Sequence, residues 1–215
     1  MNEQIYELNS HIDFTLLDPR ATCSDIERLC DIAYKNRYRA VCVNPVNVQH
    51  AKGYIAKNFS NEIKVVSVVS FPLGANSLEV KVEEMKQLVH DGVDEIEFVM
   101  NIGKIKGGEL SFIKNEILKL KKLAKGKILR CIVEVCYLDE NDLIRICKLC
   151  SKHKISIVTS TGFGTHGIDD KTLSIILKET SGYVSIKATG GVRSREDAIK
   201  FLNLGASLIG TSRVL

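Results

Sequence analysis

No apolar run in this chain approaches the ~18 residues that a membrane-spanning helix needs, so a membrane partner is not expected. No GxGxxG follows an early strand, which removes the main sign of a dinucleotide-binding doubly wound sheet. No low-complexity linker interrupts the 215 residues, and a single domain covering 1–215 is expected. A large net charge is also missing: the balance is only +4. Much of it lies in Lys119, Lys121, Lys122, Lys125 and Lys127, at what reads as a helix C-terminus. Cations suit the negative end of the helix dipole, and no aromatics interleave these lysines, so they read as a solvated end and not as a nucleic-acid surface. Cys147-x-x-Cys150 has no second Cys or His pair to complete a metal site. With Leu143, Ile146 and Leu149 around it, it reads as the core face of a helix, and no metal or other cofactor is expected. The seven cysteines are odd in number and scattered through apolar runs, and the polar start MNEQIYELNS shows no signal-peptide pattern. Reduced thiols in a cytoplasmic protein are expected.

What the chain does contain is alternation. Short β-branched runs recur at 12–18, 40–44, 64–71, 95–102, 129–136, 156–161, 185–190 and 208–212. Between them lie amphipathic segments such as 77–92, 139–154 and 194–205, the last with Ser194 as N-cap and acids in its first turn. Strand and helix alternating eight times, at about 25-residue spacing, predict a (β/α)₈ TIM barrel.

Barrel strands are covered on both faces, so a charge inside one is costly unless it is paired or used. In strand four, Glu95, Glu97, Val99 and Asn101 alternate with Ile96, Phe98 and Met100. The bulky set must face the helices, which turns the acids inward. The same reasoning turns Arg130, Ile132 and Glu134 inward on strand five, and Ser185, Lys187 and Thr189 on strand seven. Such a set could be no more than a buried ion-pair network of the fold. Lys187, however, stands toward the C-terminal end of its strand, where barrel active sites are assembled. Three glycine-bearing loops share that end: Ser160-Thr161-Gly162, Gly190-Gly191 and Gly210-Thr211-Ser212, the last followed by Arg213. Gly190-Gly191-Val192-Arg193-Ser194 opens onto a helix N-terminus, which favours an anion. Thr161, Gly162, Gly190, Gly191, Gly210, Ser212 and Arg213 are therefore candidate phosphate contacts. Cys42 and Cys136 are placed near the same mouth, as lining or as packing.

DFTLLDP (13–19), VCVNPVNV (41–48), SFPLGANSLEVKVEE (70–84), DEIEFVMNIG (94–103), VEVCYL (133–138), TSTGFGT (159–165), IKATGGVRSREDA (186–198) and GASLIGTS (205–212) follow one another along the chain. In these segments the chain resembles the bacterial type of deoxyribose-phosphate aldolase over nearly its full length. The resemblance implies a (β/α)₈ barrel and a metal-free, imine-forming aldolase site for a small sugar phosphate. It also places the Schiff-base lysine immediately before Thr159-Ser160-Thr161-Gly162, where this chain has Val158. It places a proton-relaying aspartate at Glu97, a histidine at Phe14, and a glycine at the loop residue His166. The second lysine of the family's site corresponds to Lys187, and Arg130 stands where the family tends to use lysine.

Valine offers no nitrogen, so the expectations divide. Lys187 becomes the reactive amine, with Arg130 depressing its pKa, Glu97 moving protons and Glu134 orienting or balancing charge. Alternatively, Lys187 stays charged and pairs with a carboxylate in a protein that only binds a sugar phosphate. In a third case Glu97 or Glu134 removes a proton, and Lys187 or Arg130 stabilises an oxyanion. In each case the expected partner is a small phosphorylated ligand, with self-association as a homodimer a further expectation.

Overall fold

The computed structural model describes residues 7–60 and 62–215; the first six residues of MNEQIYELNS lie outside them. Eight parallel strands close into one barrel in sequence order: β1 (Ile12–Leu16), β2 (Ala40–Val43), β3 (Lys64–Val69), β4 (Glu95–Val99), β5 (Ile128–Ile132), β6 (Ser156–Val158), β7 (Ile186–Thr189) and β8 (Leu208–Thr211). The helices between them are α1 (Cys23–Asn36), α2 (Val48–Phe59), α3 (Leu78–His90), the short α4 (Ile102–Lys106), α5 (Leu110–Leu123), α6 (Glu140–His153), α7 (Asp170–Thr180) and α8 (Arg195–Leu204). The eight predicted strands are all present. The TIM barrel read from their spacing is the observed fold.

Local chemistry sets the helix boundaries. Ser77, Asp139 and Ser194 each accept a backbone N–H from the first turn of the helix they precede. Gly205 ends α8 at φ 116°, a conformation costly for any residue with a side chain. Cys147 and Cys150 are fully buried on the inner face of α6. Lys119, Lys121, Lys122 and Lys125 are exposed, and Lys121 donates to the carbonyls of His153 and Lys154.

All eight strands end earlier than their sequences suggest, and two of these ends bear on the site. Strand five stops at Ile132; Glu134 then adopts φ 53°, and Val135–Tyr137 form a 3₁₀ turn. Strand six stops at Val158, before the loop that carries Thr161 and Gly162. Both ends lie at the C-terminal mouth of the barrel, where Val158, Thr161 and Gly162 line a cavity.

Apolar packing occupies two shells. The larger lies between strands and helices and includes Ile96, Phe98, Met100, Cys131 and Ile157. Two small clusters lie inside the barrel: Ala40, Cys42, Val66 and Val68, and separately Val99, Ile132 and Val158, with Phe71 packed against both. Phe14 points outward, its ring 5.5 Å from that of Tyr38.

Candidate active site

The barrel interior is layered. Its lower layer is ionic and starts from three carboxylates that the strands turn inward: Asp13 on β1, and Glu95 and Glu97 on β4, each almost wholly buried. Three cations face them. Arg39 donates to both oxygens of Glu95 (2.6 and 2.9 Å) and to Asp13 (2.7 Å). Arg130 donates to Glu95 at 2.6 Å and lies 3.7 Å from Glu97. Lys187 donates to Glu97 at 2.7 Å and lies 2.8 Å from Asp13, a close ion pair outside hydrogen-bond geometry. Lys64 reaches Glu95 from the barrel rim at 3.1 Å.

Burial alone would raise the Asp13 and Glu95 pKa values, but the neighbouring cations outweigh it. Lys187 and Arg39 hold Asp13 below the ordinary carboxylate value, and Arg39 and Arg130 do the same for Glu95. Burial likewise opposes charge on Lys187, yet Asp13 and Glu97 prevail and hold its ammonium well above an ordinary lysine. The consequence for stability has a definite sign. The depressed carboxylates contribute stability that is present above their unfolded values of ~4 and lost as pH falls through the folded values. The raised lysine contributes stability that is full below ~10.4 and lost as pH climbs beyond it. Urea midpoints are therefore expected to stay flat between about pH 5 and pH 10 as far as these groups are concerned, and to fall on either side.

Above the ionic layer a cavity of about 750 Å³ opens at the C-terminal ends of the strands. Lys187 and Glu97 reach its floor, and among the described residues Lys187 is the only lysine on its wall. Gly210 makes room for that lysine: a Cβ there would lie 2.9 Å from Lys187 Cε. One side of the cavity is apolar, formed by Cys42, Val68, Phe71, Ile132 and Val158. Val158 is the register partner of both Ile132 and Lys187, so the residue beside the ammonium on β6 is hydrocarbon. The opposite side is built from loops. Thr161 and Gly162 follow β6, Gly190 and Gly191 follow β7, and Gly210, Ser212 and Arg213 lie at or beyond the end of β8; all seven line the cavity, joined by Arg20 and Arg193.

Two expected catalytic residues stand elsewhere. Arg130 is part of the ionic layer beneath the cavity and is not on its wall. Glu134 turns toward the β6 loop, where its carboxylate accepts from the Thr161 N–H (3.1 Å) and the Thr161 hydroxyl, and it forms no ion pair with Lys187. Cys136 packs beside Glu134, 3.6 Å away, whereas Cys42 does line the cavity. His166 is exposed and is not part of the wall. The α8 N-terminus is also less open to an anion than the sequence suggests, because Asp197 accepts from the N–H groups of Arg193 and Ser194. Asp13 is not among the residues expected at the site, although an aspartate within the apolar strand IDFTL carries the same signal as Glu97. Arg39 gave no such signal, since it precedes β2 and belongs to no alternating pattern.

No protein-family model matches the chain. Individual relatives do. A deoxyribose-phosphate aldolase of Treponema denticola is 41% identical over 209 residues, covering 96% of this chain and 95% of the relative. The deoxyribose-phosphate aldolase of Thermococcus kodakarensis is also 41% identical over 209 residues, covering 96% and 93%. The chain belongs to the deoxyribose-phosphate aldolase family. Solved structures agree with this. The deoxyribose-phosphate aldolase of Aeropyrum pernix, described as having a unique tetrameric structure, superposes with a TM-score of 0.86 at 31% identity, over 96% of this chain and 87% of the other. The aldolase QR15 superposes with a TM-score of 0.90 at 31% identity, over 96% and 91%. Deoxyribose-phosphate aldolases are thus the setting in which the doubly paired Lys187 and the apolar Val158 must be understood.

Proposed function

We propose that this protein is an aldolase-type lyase for a small phosphosugar or phosphorylated aldehyde, in which Lys187 works as a charged hydrogen-bond donor and not as an imine-forming amine. The ligand's phosphate rests on the loops after β6, β7 and β8, and its carbonyl end lies beside Lys187. Family membership supports the substrate class. One observation carries the role of the lysine: its Nζ is held between Glu97 at 2.7 Å and Asp13 at 2.8 Å, fully buried. An imine requires a neutral amine, and both carboxylates favour the ammonium. A buried ammonium can instead donate to a carbonyl oxygen as negative charge gathers there, the same service that an oxyanion hole performs.

In retro-aldol cleavage the electron pair of the breaking carbon–carbon bond moves onto that oxygen as an enolate, and the proton of the neighbouring hydroxyl must leave. Glu97, whose side chain lines the cavity, is the group placed to take that proton and return it to carbon. Asp13 remains as counter-ion to Lys187 while Glu97 is neutral. Arg130 and Glu134 then act at a distance, the first by charge on Glu97 and the second by fixing the Thr161 loop.

The test combines thermal shift, turnover and trapping with 2-deoxyribose 5-phosphate. Stabilisation is expected, about 2.7 kcal/mol when ligand is at 100 times its Kd, with aldehyde release and no borohydride label on the protein. A label on Lys187 would overturn the charged-donor role. Stabilisation without turnover would reduce the protein to a sugar-phosphate binder, and no stabilisation by any phosphosugar would remove the reading altogether.

A further inference from the structure

Outside the barrel, at the end of β4, lies a second buried ion pair that the site described above does not use. Lys81 on α3 donates to Glu116 on α5 at 2.7 Å, and both side chains are fully buried. Burial opposes charge on each, lowering the Lys81 pKa and raising that of Glu116. Such a pair is a poor source of stability, because well-packed apolar side chains in its place are often as stable or more so. What hydrocarbon cannot supply is hydrogen bonds, and both members direct theirs to one strand end. Lys81 Nζ donates to the Val99 carbonyl at 2.8 Å, and Glu116 accepts the Asn101 N–H at 3.4 Å. These two groups flank Met100, whose own N–H donates to the Ile132 carbonyl on β5 at 3.0 Å. On the β3 side the pairing stops sooner, at Val69 with Phe98, and Ser70 then turns away at φ 56°. There α3 supplies the hold: one turn on from Lys81, Glu84 accepts the Ser70 N–H at 2.7 Å.

The strand end held in this way carries the site. Val99 follows Glu97 by two residues and packs inside the barrel with Ile132 and Val158, while Glu97 accepts from Lys187 at 2.7 Å. We propose that Lys81, seated by Glu116, is a positioning residue for the reaction: by holding the Val99 carbonyl it fixes the end of β4 and with it the approach of Glu97 to Lys187. A misplacement of about 1 Å at reacting groups can cost about 10²-fold in rate, even when its origin is far from the chemistry. The effect on turnover rests on the lyase reading above; the effect on Lys187 does not.

Two variants separate positioning from stability. Lys81→Met/Glu116→Leu removes both charges and both backbone hydrogen bonds while keeping the space filled. In it kcat for 2-deoxyribose 5-phosphate is expected to fall about 10²-fold with KM little changed, and the ¹⁵N signal of the Lys187 side chain is expected to move. Glu116→Gln keeps an acceptor for Lys81 and for the Asn101 N–H but leaves a buried amine without its counter-charge, so it should lose more Tm than the double variant, yet keep kcat and the Lys187 signal. Stability and activity then rank the two variants in opposite order. A double variant with wild-type kcat or an unmoved Lys187 signal would overturn the proposal, and so would a loss of kcat in Glu116→Gln equal to that in the double variant. A double variant that fails to fold would show that the pair serves the fold itself, and would overturn it also. If wild-type protein shows no turnover, the lyase reading falls and the Lys187 signal alone decides: movement in the double variant but not in Glu116→Gln supports the role of Lys81, and any other pattern removes it.

Discussion

Val158→Lys is expected to give the protein a borohydride-trappable imine and a gain in deoxyribose 5-phosphate cleavage on the order of 10³-fold or more over wild type, the scale on which acquiring or losing a nucleophile is felt. The reasoning is electrostatic. Position 158 faces the cavity, pairs in register with Lys187, and packs with Val99 and Ile132. Neighbouring strands are about 4.8 Å apart, so an amine introduced there would stand close to the Lys187 ammonium, with the hydrocarbon of Val99, Ile132 and Phe71 on its other side. Burial and the like charge both depress its pKa. Lys187 is not expected to yield its proton instead, because Asp13 and Glu97 hold its charge. One position away in the fold, the same ionic layer that opposes an imine at Lys187 would thus promote one. Loss of valine packing at a buried site is expected to lower stability by roughly 1–3 kcal/mol, small enough for the variant to be assayed. Mass spectrometry of the reduced adduct places the label, and activity without label in the variant would contradict the proposed electrostatics.

Lys187→Met is expected to destabilise the fold by roughly 3–5 kcal/mol at pH 7.5, the usual result of removing one partner from a buried ion pair. Methionine fills much of the lysine's volume, so the loss reports charge more than packing. Asp13 keeps Arg39 at 2.7 Å, but Glu97 keeps only Arg130, at 3.7 Å. A buried carboxylate short of a cation takes up a proton, and its folded pKa rises above the unfolded value of ~4. The folded variant then binds more protons than its unfolded chain between those two values, so its stability must fall as pH increases through that window. The wild type is expected to be flat over the same range. Urea denaturation at pH 5 and pH 7.5 should therefore show the variant less destabilised at the lower pH. Equal destabilisation at both values would mean that Lys187 contributes packing and not charge.

Legibility in the sequence followed the reach of the alternation rule. Charges set into β-branched strands announce their own orientation, which is why the sequence alone turns Glu97 and Lys187 toward one cavity. Alternation gives phase but not depth. It could not tell that Arg130 lies beneath the cavity, because height within a barrel depends on how the strands are staggered. It also ceases where a strand ends: Glu134 was assigned by extending β5 through Ile132, and the left-handed turn at Glu134 sends its carboxylate to Thr161 instead. Asp13 was readable by the rule used on β4.

The charge state of Lys187 decides most between these readings, and it can be measured directly by following its side-chain nitrogen in protein labelled with ¹⁵N-lysine, assigned with Lys187→Arg. If Asp13 and Glu97 hold the ammonium as proposed, its signal should keep the position of a protonated amine from pH 6 to beyond pH 10 in the free protein. A midpoint near or below pH 9 would show an amine ready to form an imine, and would contradict the proposal.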